Sequence, residues 1–314
     1  MNPNYPQDIV EAARALRTGA LVAIPTETVY GLAADATNRH AVAAIYALKD
    51  RPRFNPLIVH VSSVAMAQRY GVWNAQAEAL AKAFWPGPLT LVLPLKPESG
   101  ISELVTNGGS TIALRLPAHP IARTLIEAFG GGIAAPSANR SGRVSPTSAA
   151  HVHDEFGDAC PLLLDGGNCS IGLESTVLDA TTTPPTLLRL GSVTKEMIFK
   201  CLRSYPQILN KDNPVDILRS PGQLLSHYAP SLPVRLNATD VAPDEALLAF
   251  GTPLMGAAIT CNLSEHENLT EAAAHLFAHL RALDAPHLAR AIAVMPIPNE
   301  GIGEAINERL SRAV

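Results

Sequence analysis

The polar side chains of this 314-residue sequence gather in short stretches, several of which follow an apolar run. P-T-E-T-V-Y-G-L at 25–32 places two threonine hydroxyls, a carboxylate and a phenol where such a run ends, the position at which open α/β sheets hold ligands. K-D-R-P-R-F-N-P at 49–56 sets three cations and an amide around two prolines, which suits a polyanion such as a nucleoside triphosphate. As cations of an exposed loop, Lys49 and Arg51 should matter for turnover and little for stability. Arg115 stands among aliphatic residues in T-I-A-L-R-L-P, so it either snorkels from a sheet edge or forms an inward, paired cation whose planar fork matches a carboxylate. A-A-P-S-A-N-R-S-G at 134–142, with S-P-T at 145–147, is dense in hydroxyl and amide donors that can take phosphate or ribose without a Walker loop, and no G-x-x-x-x-G-K-[ST] occurs in the chain. G-L-E-S-T at 172–176 and L-R-L-G-S at 188–192 read singly as turn chemistry; with the others they make a set of polar clusters on separate strand ends.

Other patterns point to structure. His151 and His153 lie two apart on a predicted helix and face different ways, while His275 and His279 share a face but lack a third ligand or H-E-x-x-H spacing, so surface histidines are the better account than a metal site. G-I-G at 301–303 lacks the third glycine of a dinucleotide loop and reads as helix capping. Cys160, Cys169, Cys201 and Cys261 form no C-x-x-C pair and read as reduced, structural thiols.

The elements that must position the clusters follow from periodicity. Apolar residues at helical spacing predict helices over 8–17, 41–48, 75–84, 121–129, 148–156, 194–203, 271–283 and 304–314. Apolar runs predict strands over 20–24, 57–61, 89–95, 111–116, 132–135, 162–165, 176–179, 187–190, 234–236, 247–250 and 291–295. Helices and strands interleave, and adjacent strands crowd near 175–190, so an α/β fold with a mixed sheet fits better than a purely parallel one. The chain is longer than one core usually serves. Proline, glycine and polar residues dominate 204–231, which separates a first domain over 1–203 from a small α/β domain over 232–314. That linker nevertheless holds Leu224, Leu225 and Tyr228, which suggests a lid with Tyr228 covering a nucleotide.

Composition narrows the function classes. Apolar residues form 47% of the chain and charged ones 17%, enough for a large core and incompatible with global disorder. No apolar run reaches the roughly 18 residues of a membrane span, and the N-terminus lacks the blocks of a signal peptide, so a cytoplasmic protein without a membrane partner is expected. The net charge of −4 divides into −5 beyond residue 231 and +1 before it, so a broad basic face for nucleic acid is not evident, although a local patch is left open.

Taken in order, P-T-E-T-V-Y-G-L, K-x-R-P-x-x-N-P-L, W-P-G-P-L-T at 85–90, R-L-P, P-S-A-N-x-S-G, G-L-E-S-T-V and the linker S-P-G…H-Y-A-P resemble the L-threonylcarbamoyladenylate synthase family, along essentially the whole chain. The resemblance implies a YrdC-like twisted mixed sheet with helices, plus a small C-terminal Rossmann-like α/β domain. It implies condensation of L-threonine, bicarbonate and ATP to threonylcarbamoyl-AMP and pyrophosphate, with Mg2+ carried mainly by the ATP phosphates and no metal held by the protein. A downstream transferase would use the product for N6-threonylcarbamoylation of adenosine 37 in tRNA. By motif, Thr28, His60, Arg115, Ala135 and Ser175 would bind threonine. Arg51, Asn55, Thr111, Ser137, Ser145, Arg189 and Tyr228 would bind ATP, and Lys49 with Arg51 would supply the charge that chemistry at the phosphates requires. One departure is that 223–226 reads Q-L-L-S where basic and aromatic residues are expected, which weakens the case for phosphate contacts from there. Two other classes compete: a double-stranded RNA-binding module, disfavoured by the weak basic face, and a carbamoyl-adenylate-forming domain serving another acceptor, which would usually carry acylphosphatase-like and zinc-finger segments that this chain lacks.

Overall fold

The computed structural model describes residues 5–51, 55–208 and 228–314. Strands β1 (Val22–Ile24), β2 (Gly31–Asp35), β3 (Ile58–His60), β4 (Leu89–Pro94), β5 (Thr111–Arg115), β6 (Ile133–Ala134), β7 (Leu162–Leu163), β8 (Thr176–Asp179), β9 (Thr186–Arg189) and β10 (Gln207–Ile208) form one sheet in the order β10-β9-β8-β4-β5-β3-β6-β2-β1-β7. Five of its pairings are antiparallel and four parallel, as the crowding of strands near 175–190 foretold. Side chains alternate across the central strands as a pleat requires. Val59, Leu91, Leu93, Leu114 and Leu178 enter the main core, while Ile58, Val92, Ala113, Val177 and Leu188 form a separate apolar cluster.

Helices cover the main core. Gln7–Arg17 buries Ile9, Ala12, Ala13 and Leu16, the i, i+3, i+4, i+7 stripe that its sequence advertises, and packs on Pro120–Phe129. Arg39–Lys49 begins at Asn38, whose side chain accepts from the amides of His40 and Ala41. Ala75–Phe84 begins likewise at Asn74.

The second sheet is all parallel: β11 (Val234–Arg235), β14 (Ala291–Val294), β12 (Glu245–Ala249) and β13 (Ile259–Asn262) are neighbours in that order. Helix Leu269–Leu283 buries Ala272, Ala273, Leu276, Phe277, Leu280 and Leu283 against it, and Gly303–Ser311 closes the chain. This second core also takes in Val29, Val144 and Leu173 from the first unit. Contact between the units is close. At Gly172, where φ is +74°, a Cβ would stand 2.5 and 2.6 Å from the carbonyl oxygens of Ala274 and Ala273. Lys195 pairs with Glu304 across the boundary at 2.6 Å, and Arg281 donates to the Val144 carbonyl and, at 3.0 Å, to Glu155.

Several elements differ from expectation. The stretch 25–32 is not wholly a loop: β2 begins at Gly31, although G-L-A-A-D has no β-branched residue, because it is buried and paired on both edges. β10 and β13 are also strands without strong sequence signals, and Val64–Ala67 and Glu103–Thr106 add short helices. Most of the expected lid, including Leu224 and Leu225, lies outside the described residues; Tyr228 lies within them.

Candidate active site

The stretch at 25–32 is pinned before it can present side chains. Thr26 Oγ1 donates to the Val29 carbonyl at 2.6 Å and accepts from the amides of Thr28 and Val29, folding the backbone into a tight turn. The Tyr30 amide donates to Pro146, Leu32 to Pro136, and Ile171 to Glu27, which ties this turn to the 134–147 and 171–176 stretches. The parallel pairing of β3 with β5 then places His60 directly opposite Arg115 at the strand ends.

Arg115 is an inward, paired cation, 3% exposed, so the edge alternative falls away. Its Nη2 donates to Glu27 Oε1 at 2.6 Å, Nη1 to Thr28 Oγ1 at 2.9 Å, and Nε to the Gly87 carbonyl at 3.3 Å. A guanidinium has five N–H donors, so two remain for a ligand carboxylate. Burial pushes the Glu27 carboxyl up, but the Arg115 charge, its hydrogen bond and the amides of Glu27 and Ala118 bring it below its ordinary value. His60 is held down to about 3, first by burial and then by the Arg115 charge, and is a neutral imidazole near pH 7. Its Nδ1 has no hydrogen-bond partner among the described residues.

The same cavity is lined by two further guanidinium groups. Arg189 donates from Nε to the Ser175 carbonyl at 3.0 Å and from Nη2 to Ser175 Oγ at 3.1 Å; that hydroxyl also shares a 2.7 Å hydrogen bond with Thr90. The turn beyond Arg189 requires glycine, because a Cβ on Gly191 would lie 2.4 Å from the Thr176 amide nitrogen. Arg51 reaches the carbonyls of Asn55 and Pro56 at 3.4 and 3.3 Å, and burial brings it down to about 10. Tyr228 is 1% exposed, stacks on Phe277 with centroids 5.4 Å apart, and is pushed up to about 12, chiefly by burial and then by the Glu174 charge.

The cavity, about 50 Å³, brings together Thr28, His60, Arg115, Ala135, Ser175, Arg51, Ser137, Arg189 and Tyr228. Four residues expected at the site lie elsewhere. Ser145 stands behind the wall, donating to Glu174 Oε1 at 2.6 Å. Asn55 is buried next to Arg51, and neither polar atom of its side chain has a partner among the described residues. Thr111 lines a second cavity of about 630 Å³ together with Leu57, Val105, Thr106 and Ala113.

Lys49 closes its helix, 1% exposed, and donates to the carbonyls of Ser137 and Asn139. Burial first and the Arg51 charge second depress its ammonium well below the ordinary lysine value. The expectation of exposed loop cations is thus corrected: Lys49 and Arg51 are both interior groups. Sequence reasoning left Glu27 and Glu174 without roles although both stand in the quoted motifs, and nothing in the sequence signalled that Arg309 would reach Glu174, at 3.0 Å.

Residues 14–191 match the Sua5/YciO/YrdC family, described as telomere recombination, and residues 193–314 match the threonylcarbamoyl-AMP synthase C-terminal domain. Threonylcarbamoyl-AMP synthase of Pyrococcus abyssi is 48% identical over 227 residues, covering 71% of this chain and 66% of that protein. The Bacillus subtilis protein of the same name is 45% identical over 239 residues, covering 75% and 68%. The aligned stretches thus span about two thirds of these relatives. The crystal structure of P. abyssi Sua5 complexed with L-threonine superposes with a TM-score of 0.90 at 37% identity, over 99% of this chain and 95% of that one. With both of its units matched in order and its whole length superposed, the chain belongs to the Sua5/YciO/YrdC family, in the two-domain form whose curated relatives are threonylcarbamoyl-AMP synthases.

Proposed function

We propose that this chain is a threonylcarbamoyl-AMP synthase, which condenses L-threonine, bicarbonate and ATP for the N6-threonylcarbamoyladenosine modification of tRNA. The observation that carries this is the meeting of Arg115, Thr28 and neutral His60 with Arg51 and Arg189 in one buried cavity, a fork for a carboxylate beside cations for phosphate. The relatives named for this activity, and the structure of P. abyssi Sua5 complexed with L-threonine, support it.

The amine of threonine attacks the carbon of bicarbonate, water leaves, and a carbamate results. A carbamate oxygen then attacks the α-phosphorus of ATP, the bond to the bridging oxygen breaks, and pyrophosphate departs in line. Both partners are anionic, so positioned charge and exclusion of water do most of the work. The two free donors of Arg115 take the threonine carboxylate, while Thr28, the Ala135 backbone and Ser175 orient the rest of the amino acid. His60 offers a neutral nitrogen as a hydrogen-bond acceptor. Arg51 and Arg189 face the phosphates and Ser137 and Tyr228 meet the nucleotide in the same cavity, while Ser145 acts from behind the wall through Glu174, Asn55 from beside Arg51, and Thr111 from the second cavity. Lys49 acts one layer behind, by fixing the carbonyls of the 137–139 loop and lending charge to the site.

Mg2+ would enter with ATP as part of the substrate and would supply charge that offsets the phosphates. The side chains suit that mode: Glu174, the carboxylate on the cavity wall, is already bound by Ser145 and Arg309, and no group of three potential ligands gathers among the described residues. The product passes to a tRNA threonylcarbamoyl transferase. We place the catalytic domain at 1–203, a linker at 204–231 and the second domain at 232–314. None of the helices among the described residues is long and apolar enough to cross a membrane.

The test is pyrophosphate release from ATP. It should require threonine and bicarbonate together. Release that ignores threonine, or none under any condition, would reject the assignment in favour of a carbamoyl adenylate for another acceptor or an RNA-binding module.

A further inference from the structure

Glu174 poses a physical problem. It is a buried carboxylate on the wall of a cavity read above as the ATP site, and an uncompensated negative charge there would oppose a triphosphate. The compensation comes from the other end of the chain. Resting on that reading, we propose that Arg309, in the closing helix of the second unit, is a positioning residue that neutralises Glu174 and so keeps the cavity receptive to ATP.

Arg309 is 1% exposed and turns two of its three guanidinium nitrogens to this region. Nε donates to Glu174 Oε2 at 3.0 Å, while Ser145 holds the other oxygen at 2.6 Å. Nη2 donates to the carbonyl of Leu190, next to Arg189, at 2.8 Å. The guanidinium carbon lies 5.3 Å from the centroid of the Tyr228 ring. One side chain thus supports the neighbours or the ring of three residues expected at the nucleotide: Ser145, Arg189 and Tyr228. Nη1 donates to Glu308, which also accepts from Arg312. Glu308 keeps Arg312 as a partner, but Glu174 without Arg309 has only the Arg189 charge to draw on, a cation that the phosphates need, so the cavity wall becomes one unit more negative. Burial works against the Arg309 cation, but Tyr228, Glu174 and Glu308 together raise its affinity for the proton, and it stays charged throughout the working pH range.

The experiment is calorimetric titration with Mg-ATP in the absence of threonine, and separately with threonine alone. Arg309→Met should raise the Kd for ATP about tenfold or more while that for threonine stays within about twofold, since only the nucleotide side loses its counter-charge. Adding Glu174→Gln to Arg309→Met should restore ATP affinity to within about threefold of wild type, because a neutral amide needs no partner cation. A merely structural latch would give equal losses for both ligands or no recovery in the double variant, and either result overturns the proposal. Should Arg309→Met not fold by circular dichroism, Arg309→Lys decides: it keeps the charge and should hold ATP affinity within about threefold, and a tenfold loss would reject the idea. The titration is independent of turnover. A protein that binds ATP and shows the rescue but makes no pyrophosphate loses the enzymatic assignment alone; turnover without the rescue removes the role of Arg309 alone; absence of ATP binding in wild type removes both.

Discussion

Arg115 and His60 show how burial converts ordinary side chains into specific ones. Arg115 gives three donors to Glu27, Thr28 and Gly87 and keeps a fixed plane. Replacing it with Lys keeps the charge but removes the fork, and should weaken threonine binding by about tenfold while ATP binding changes by less than about twofold. Calorimetry with each ligand measures both, and equal losses would take the carboxylate away from Arg115. His60 makes a pH prediction. Its folded value is about 3 against an ordinary 6.5, so the unfolded chain takes up a proton that the folded protein refuses. Its contribution to stability is therefore complete above about 6.5 and is lost progressively as pH falls toward about 3. His60→Gln should flatten the decline in urea midpoint over that window, and an unchanged slope would show that other groups govern acid stability.

At the scale of elements, the interior placement of Lys49 changes what its replacement should do. Its helix ends against the 137–139 loop, and the ammonium supplies hydrogen bonds that the carbonyls of Ser137 and Asn139 would otherwise lack. Lys49→Ala should cost about 1–3 kcal/mol of stability as well as turnover. Thermal melts alongside the pyrophosphate assay separate this from a purely catalytic cation, whose loss would leave the melting temperature unchanged. The sequence misleads here because a lysine at the end of a helix usually reaches solvent, and nothing local reveals the loop that folds over it. Strands rich in valine and leucine, such as Leu89–Pro94 and Thr176–Asp179, were legible almost to the residue. Gly31–Asp35 was not, because its extended form comes from two partner strands and not from its own side chains. The same distinction divides the site. Thr28, Arg51 and Arg115 announce themselves by type and company, whereas the Glu174–Arg309 pair joins residues 135 positions apart and exists only once both units have docked.

For the molecule as a whole, the boundary proposed near residue 203 does not divide the cores cleanly. Val29, Val144 and Leu173 belong to the second core, and Val29 directly follows Thr28. Residues 1–203 alone should therefore expose an apolar patch, bind a hydrophobic dye and lose threonine affinity; a monodisperse, fully binding fragment would show that the second unit is dispensable. The order of the large sheet has a further consequence, for synthesis. β4 must wait for β8, its parallel neighbour, and roughly 80 residues separate them in sequence. At about 5–20 residues per second, a growing chain holds that edge open for roughly 4–16 s. Every copy made thus passes through an interval in which a half-built sheet offers a bare strand to its neighbours on the polysome, and the yield of active protein in a cell depends on what shields Leu89–Pro94 until Thr176–Asp179 has left the ribosome.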